Sequence, residues 1–299
     1  MATWIDDCIS LIITWDNSEL SMSLIASNLR ETLRVDGFFL LKISEDIQEK
    51  LRATFDAGYS FFHTTLEEKL LYRFPEEMGY RPFGIEYSQT PTYPDQVESF
   101  TVSRRVPTPI SELHSRTVRV LCERMLATFD EIELIAETVT IELATAISHR
   151  PVIEQMRGTF RRWSRLQLNY SRPSKVALPF INEPHEDGDF ITISCSNAPG
   201  LEVQMTNNEF TPITTVPGEV LLLPGEIAWL LSGGQIRPAF HRVRPHHHYS
   251  ERMALLFFGD IDPHHCQPWV ENELNQHVDI GARILTSVNR FGLKGFSTE

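Results

Sequence analysis

A chain of 299 residues, 41% hydrophobic and 22% charged, has the size and composition of one large globular domain or two modest ones with ample core. A formal charge of −13 without a long basic run argues against nonspecific nucleic-acid binding. No stretch reaches the roughly 18 apolar residues that a membrane-spanning helix requires. The start, Met1 to Asp7, lacks a basic region, and the apolar run from Ile9 to Ile13 is too short for a secretory signal. The four cysteines (8, 122, 195, 266) form no CxxC pair, so free thiols and a cytoplasmic location are expected.

In chain order, residues 18–34 are predicted to be helical, because Leu20, Leu24, Ile25, Leu29 and Leu33 recur at spacings near three and four. Asp36-Gly37 ends that helix, and Phe38 to Ile43 reads as a buried strand. Ser44 opens a second helix to about Thr64, with Ile47, Leu51, Phe55 and Tyr59 on one face. Residues 75–110, rich in Pro, Gly and Tyr, predict loop with short strands, including Ser99 to Val102. From Ile110 to about His149 a stripe through Leu121, Met125, Phe129, Ile132, Ile135 and Val139 predicts one long helix or two abutting ones, packed into the core. Four arginines (157, 161, 162, 165) follow and are expected on a solvated face, paired with nearby acids.

Beyond Arg161 the period changes. Segments 163–170, 189–195, 201–205, 211–215, 219–223, 227–231, 239–243 and 252–258 have strand character, split by Pro, Gly and Asn. This pattern predicts a jelly roll (a double-stranded β-helix) with helices outside it, an α+β fold. Residues 270–289 are predicted to be helical. A helical half, 1–150, and a β half, 151–299, have no Gly/Ser linker between them, so one compact unit is expected.

The chemistry concentrates at His185-Glu186-Asp187-Gly188-Asp189. On a strand, residues two apart face the same way, which would place His185 and Asp187 together and Glu186 opposite. His241, in Phe240-His241-Arg242-Val243, is the third candidate ligand, and in a jelly roll a later strand can return beside an earlier one. Two imidazoles and one carboxylate on one face of a metal form the facial triad of non-haem Fe(II) oxygenases, and the same donors suit Mn(II) or Zn(II). Asp189 fits a capped turn or a supporting position behind the ligands. His246-His247-His248 and His264-His265 fit solvated loops. Phe100, Trp229 and Phe258 fit the core or a cavity wall.

His185-Glu-Asp187, then Phe240-His241-Arg-Val243, then Arg252-Met-Ala254 through Phe258, resembles the isopenicillin-N-synthase-like family of 2-oxoglutarate-dependent Fe(II) oxygenases. Arg34 to Phe39, Gly79 to Gly84 and Asp95 to Phe100 resemble that family's earlier segments in the same order, so the likeness spans most of the chain. The resemblance implies Fe(II) held by His185, Asp187 and His241, with 2-oxoglutarate and O2 as cosubstrates. It further implies hydroxylation, desaturation or cyclisation of a small molecule, with specialised metabolism as the setting. Arg252 matches the arginine that holds the distal carboxylate of 2-oxoglutarate, and a guanidinium fork suits a carboxylate. Asn169 and Tyr170 match the first two residues of the family's Asn-Tyr-Tyr-Pro, which contacts the cosubstrate. Ala254 stands where the family has Ser, and Ser171 where it has the second Tyr. These departures keep two rivals in view. One is an oxidase of the same fold that dispenses with 2-oxoglutarate, and the other a non-catalytic jelly-roll binding module.

Overall fold

The computed structural model describes residues 29–74, 78–106, 110, 113–148, 156, 158–172, 178–245, 249–291 and 293. Residues 29–35 are helical (α1), and the earlier part of the first predicted helix lies outside the described residues. Strand β1 (Phe39–Lys42) follows, then helix α2 (Glu45–Phe62). The Ser44 hydroxyl caps α2 by accepting from the Ile47 N–H, and Glu45 and Asp46 complement the positive end of the helix. A short helix α3 (Leu66–Leu70) leads to β2 (Gly79–Arg81) and β3 (Glu98–Ser103). The predicted helical stripe forms one unbroken helix α4 of 32 residues, Arg116–Ile147.

After α5 (Thr159–Trp163) come β4 (Arg165–Ser171), β5 (Asn182–His185), β6 (Ile191–Ser196), β7 (Leu201–Gln204), β8 (Phe210–Pro212) and β9 (Glu219–Pro224). Helix α6 (Glu226–Leu231), β10 (His241–Val243), β11 (Arg252–Gly259) and helix α7 (Ile280–Thr286) complete the order, with a 3-10 turn over Ser287–Phe291. The strands form two antiparallel sheets, β1-β9-β6-β11-β4-β3-β2 and β5-β10-β7-β8. This is the double-stranded β-helix expected, and β1, β2 and β3 from the first half of the chain belong to its large sheet.

Two predicted elements differ. Residues 227–231 are helical, not strand. A short apolar run cannot be assigned by periodicity alone. Here Pro224-Gly225 breaks the preceding strand, and Gly233 and Gly234, both at positive φ, end the helix. Residues 270–279 are turns rather than helix, and only 280–286 form α-helix. Asn272 Oδ1 accepts from Leu274 N (3.0 Å), and Asn275 Oδ1 from Asn272 N (3.0 Å). The Asn272 Asx turn and the Asn275 bond back to the Asn272 amide give the backbone an alternative to helix.

The large sheet has two unlike faces. Leu166, Leu168, Tyr170, Leu255 and Phe257 point outward and pack under the helices in the main core. Helix α2 lies so close that a Cβ on Gly58 would meet Leu168 Cδ2 at 2.2 Å, so any larger residue there must displace the Leu168 side chain. The alternate positions, Arg165, Gln167 and Asn169 on β4, Thr192 and Ser194 on β6, and Arg252, Ala254, Leu256 and Phe258 on β11, point inward to a cavity of about 100 Å³. Among the described residues Cys122, Cys195 and Cys266 are free thiols, and burial pushes each above its ordinary pKa, Cys122 and Cys195 to about 12. No helix of the described residues is long and apolar enough to cross a membrane.

Candidate active site

His185 ends β5 and His241 begins β10, and the antiparallel register sets them directly opposite each other. Cross-strand partners project to the same side, and the two rings lie 4.4 Å apart between centroids. His185 Nδ1 lies 2.7 Å from Glu183 O, and His241 Nδ1 lies 2.9 Å from Ala239 O. A carbonyl only accepts, so each Nδ1 carries the proton and each Nε2 is left with a lone pair.

Asp187 is not on a strand with His185, as strict alternation would require. It sits in the turn between β5 and β6. The amide of Glu226, at the start of α6, donates to Asp187 O (3.0 Å), and Gly225 N donates to Phe190 O (3.0 Å). Thr192 Oγ1 donates to Asp187 Oδ2 at 2.6 Å, leaving Oδ1 turned to the imidazoles. Oδ1 is 3.5 Å from His185 Nε2 and 3.9 Å from His241 Nε2. One ligand atom from each residue lies within 4.8 Å of the others, a cluster suited to one metal ion.

Burial opposes charge on Asp187, but His241, His185 and the Thr192 hydroxyl outweigh it and hold the carboxyl well below its ordinary range. Burial lowers His241. Burial also acts to lower His185, but its hydrogen bond to Asp187 and that carboxylate's charge prevail, so His185 is raised.

Arg252 lies on the inward face of β11 and lines the same cavity. Its Nε donates to Ala198 O (3.3 Å), and among the described residues no carboxylate is within ion-pair distance. Burial pushes its pKa down to about 10. A guanidinium that opens on a cavity without an acid partner has the geometry to receive an anion. Ala254 pairs across the sheet with Asn169 on one side and Ser196 on the other. Asn169 lines the cavity. Tyr170, expected beside the cosubstrate, is on the other face, because neighbouring strand residues point opposite ways. Its ring stacks on Phe62 (4.9 Å between centroids, 7° between planes).

Other expectations are settled by position. Phe258 lines the cavity, whereas Phe100 is in the core and Trp229 packs against that core from α6. Arg161 pairs with Asp130 and Glu133 as a surface group would. Arg165 instead turns inward and pairs with Asp189 at 3.0 Å. Burial and the Asp189 charge push the neighbouring Asp260 carboxyl well above its ordinary range. His246 to His248 lie outside the described residues, and His265 is exposed beside Asp262. Sequence reasoning missed Glu86, Asp95, Gln167 and Phe291, all of which line the cavity. Gln167 was findable, two residues before Asn169 on the same face. Nothing near Glu86 in the sequence marks it.

The sequence profile of the 2OG-Fe(II) oxygenase superfamily matches residues 163–260, and that of the N-terminal region of non-haem dioxygenases in morphine synthesis matches residues 9–120. The chain belongs to the 2-oxoglutarate/Fe(II) dioxygenase family. It is an oxidoreductase whose family cofactors are Fe(II), 2-oxoglutarate and O2. No curated protein matches the sequence. Solved structures do resemble the oxygenase. A full-length Neurospora crassa protein in complex with alpha-KG and thymine is 18% identical, with a TM-score of 0.76, covering 92% of this chain and 93% of that one. A 2OG-Fe(II) oxygenase family protein from Caulobacter crescentus is 19% identical, with a TM-score of 0.74 and coverages of 91% and 95%. JOX2 in complex with 2OG, Fe and JA is 18% identical, with a TM-score of 0.68 and coverages of 84% and 77%. At these identities the likeness shows the fold.

The donor set fits the family's metal. Two imidazole Nε2 atoms, oriented by backbone carbonyls at the opposite ring nitrogens, and one carboxylate oxygen held in its charged form converge on a cavity. Supporting hydrogen bonds orient all three, as metal ligands require.

Proposed function

We propose that this oxygenase oxidises a C–H bond of a compact small molecule, with Fe(II) held by Nε2 of His185, Nε2 of His241 and Oδ1 of Asp187. In this reading Arg252 receives the distal carboxylate of 2-oxoglutarate, and the Asn169 amide assists from the neighbouring strand. The observation that carries the reading is that the three ligand atoms and the acid-free Arg252 guanidinium open on one cavity. When bound, Fe(II) and 2-oxoglutarate supply the oxidising power, through reduction of O2 coupled to loss of CO2 from the diacid.

The protein's own part is placement. Glu183 O, Ala239 O and the Thr192 hydroxyl fix the ligands before metal arrives. Phe258 and Phe291 wall the cavity with apolar surface, and the Phe291 ring sits 5.9 Å from that of His185, where it restricts water at the metal. Solved relatives hold thymine or JA, in keeping with a small-molecule substrate here. A role in specialised metabolism rests on the family resemblance.

Succinate formation dependent on Fe(II), O2 and a small-molecule substrate tests the reading. Asp187→Ala should abolish it in a folded protein, and an active Asp187→Ala enzyme refutes the ligand assignment. Ala254 and Ser171 favour a second reading, in which Arg252 holds a substrate carboxylate and no 2-oxoglutarate is used. Substrate-dependent oxygen uptake that is indifferent to 2-oxoglutarate identifies that case.

A further inference from the structure

The loop between β2 and β3 brings Glu86 to the cavity wall. Burial opposes its charge, but Arg81 and three hydrogen bonds hold the carboxyl below its ordinary range. Arg81 Nε donates to Oε1 at 2.8 Å, Ser99 Oγ to Oε1 at 2.6 Å, and Gln167 Nε2 to Oε2 at 3.0 Å. A carboxylate offers about four acceptor positions, so Oε2 keeps one that these donors do not fill.

Gln167 fixes this arrangement. Its Oε1 accepts from Arg81 Nη2 and from Thr101 Oγ1 (3.2 Å), so its amide must face the other way. Both amide hydrogens are then committed, one to Glu86 Oε2 and one to Asn169 Oδ1 at 2.7 Å. Asn169 therefore accepts with its oxygen. Its own N–H2 group has no partner among the described residues, although the residue is only 8% exposed and lines the cavity. A donor that opens on a cavity and is not taken by a protein acceptor is available to a ligand. The wall thus presents one acceptor at Glu86 and one donor at Asn169, both held by Gln167.

Charge narrows the class. The cavity wall carries Glu86 and Asp95 as well as Asp187 and Asp189. Its cations are Arg165, which is paired with Asp189, and Arg252. With Arg252 committed to the cosubstrate, no free cation is left among the described wall residues for an anionic substrate group, and Glu86 would repel one.

Resting on the oxygenase reading above, we propose that the substrate is a compact, non-anionic nitrogenous molecule whose N–H group, an amine or an amide, donates to Oε2 of Glu86. Arg81, Ser99 and Gln167 are positioning residues for that carboxylate. Asn169 serves the cosubstrate beside Ala254, so Gln167 ties the two halves of the cavity together.

The test is anaerobic calorimetry on the full chain. Fe(II) and 2-oxoglutarate are titrated first, and benzylamine, benzamide and benzoate are then compared as size-matched probes on the loaded protein. Benzylamine or benzamide should bind at least about tenfold more tightly than benzoate, a difference well within the reach of one buried charged hydrogen bond. The stronger of the two nitrogenous probes distinguishes a cationic from a neutral substrate. Glu86→Gln should bring the three probes within about threefold of one another and leave Fe(II) affinity unchanged. Failure to bind Fe(II) takes down the oxygenase reading, and this proposal with it. Normal Fe(II) and 2-oxoglutarate binding with benzoate preferred, with no preference, or with no probe bound overturns the proposal alone. If Glu86→Gln does not fold, the wild-type probe series still decides.

Discussion

Replacing Thr192 with Val removes one hydroxyl and keeps the branched outline of the side chain. Thr192 is 1% exposed, and its hydroxyl reaches Asp187 Oδ2 at 2.6 Å, inside a carboxylate site that is itself buried. A hydrogen bond to a charged group contributes about 1.5–3 kcal/mol. Without it, Asp187 can rotate and offer either oxygen, so the three donors no longer meet in one arrangement before metal arrives. Loss of this kind of supporting contact lowers metal affinity by about 10–100-fold, which the energy of the single bond matches. The assay is anaerobic Fe(II) titration of the Thr192→Val variant beside the wild type, with circular dichroism and thermal melting to verify the fold. Fe(II) binding within about twofold of wild type in a variant of unchanged Tm would refute the idea that Thr192 organises the site.

Further outcomes follow from the same geometry. Gly225→Ala would place a Cβ 2.1 Å from Asp189 O and 2.9 Å from Asp187 O, so the turn carrying Asp187 must shift. A lower Tm and weakened Fe(II) binding together are expected, and a loss of Tm alone would show that the turn does not set the ligand. Arg252→Ala should raise the 2-oxoglutarate concentration needed for half-saturation by about 100-fold or more, the effect of losing a buried charge pair, while Ala254→Ser should lower it by about fivefold, one added hydrogen bond. Steady-state succinate assays measure both. The His185 pKa is raised above that of an ordinary histidine, so on acidification its proton begins to compete with metal at a higher pH than an ordinary imidazole's would. Fe(II) affinity should therefore begin to fall on acidification while an unshifted imidazole would still be deprotonated, and an anaerobic titration series that stays flat down to the ordinary histidine range would contradict the shift.

Much of this architecture is written locally. Ser44 capping α2, the stripe from Leu121 to Val139, and the alternation in β4 and β11 are each visible within a few residues of chain. The convergence of His185, Asp187 and His241 is legible in their order and spacing, but the route by which Asp187 arrives is not. It reaches the imidazoles from a turn pinned by the start of α6, a contact between segments that no local pattern reveals. The helix at 226–231 and the turns at 270–279 escape sequence reading because short apolar runs and Asn side chains permit more than one backbone state. Arg165 looks like its exposed neighbour Arg161, and only the strand facing fixes it inward against Asp189. Glu86 acquires its meaning from Arg81, Ser99 and Gln167, three residues on three different strands.

The two-faced large sheet has a consequence for how such a protein can change. Stability resides chiefly in the close-packed side, where Leu255, Phe257 and Leu168 meet the helices and Phe129 lies 5.2 Å from Phe257. Chemical choice resides in the residues between them, such as Ala254, Leu256 and Phe258, which border open space. One strand therefore carries scaffold and selectivity in alternate positions. A descendant can acquire a different appetite by altering every second residue while its scaffold stays untouched.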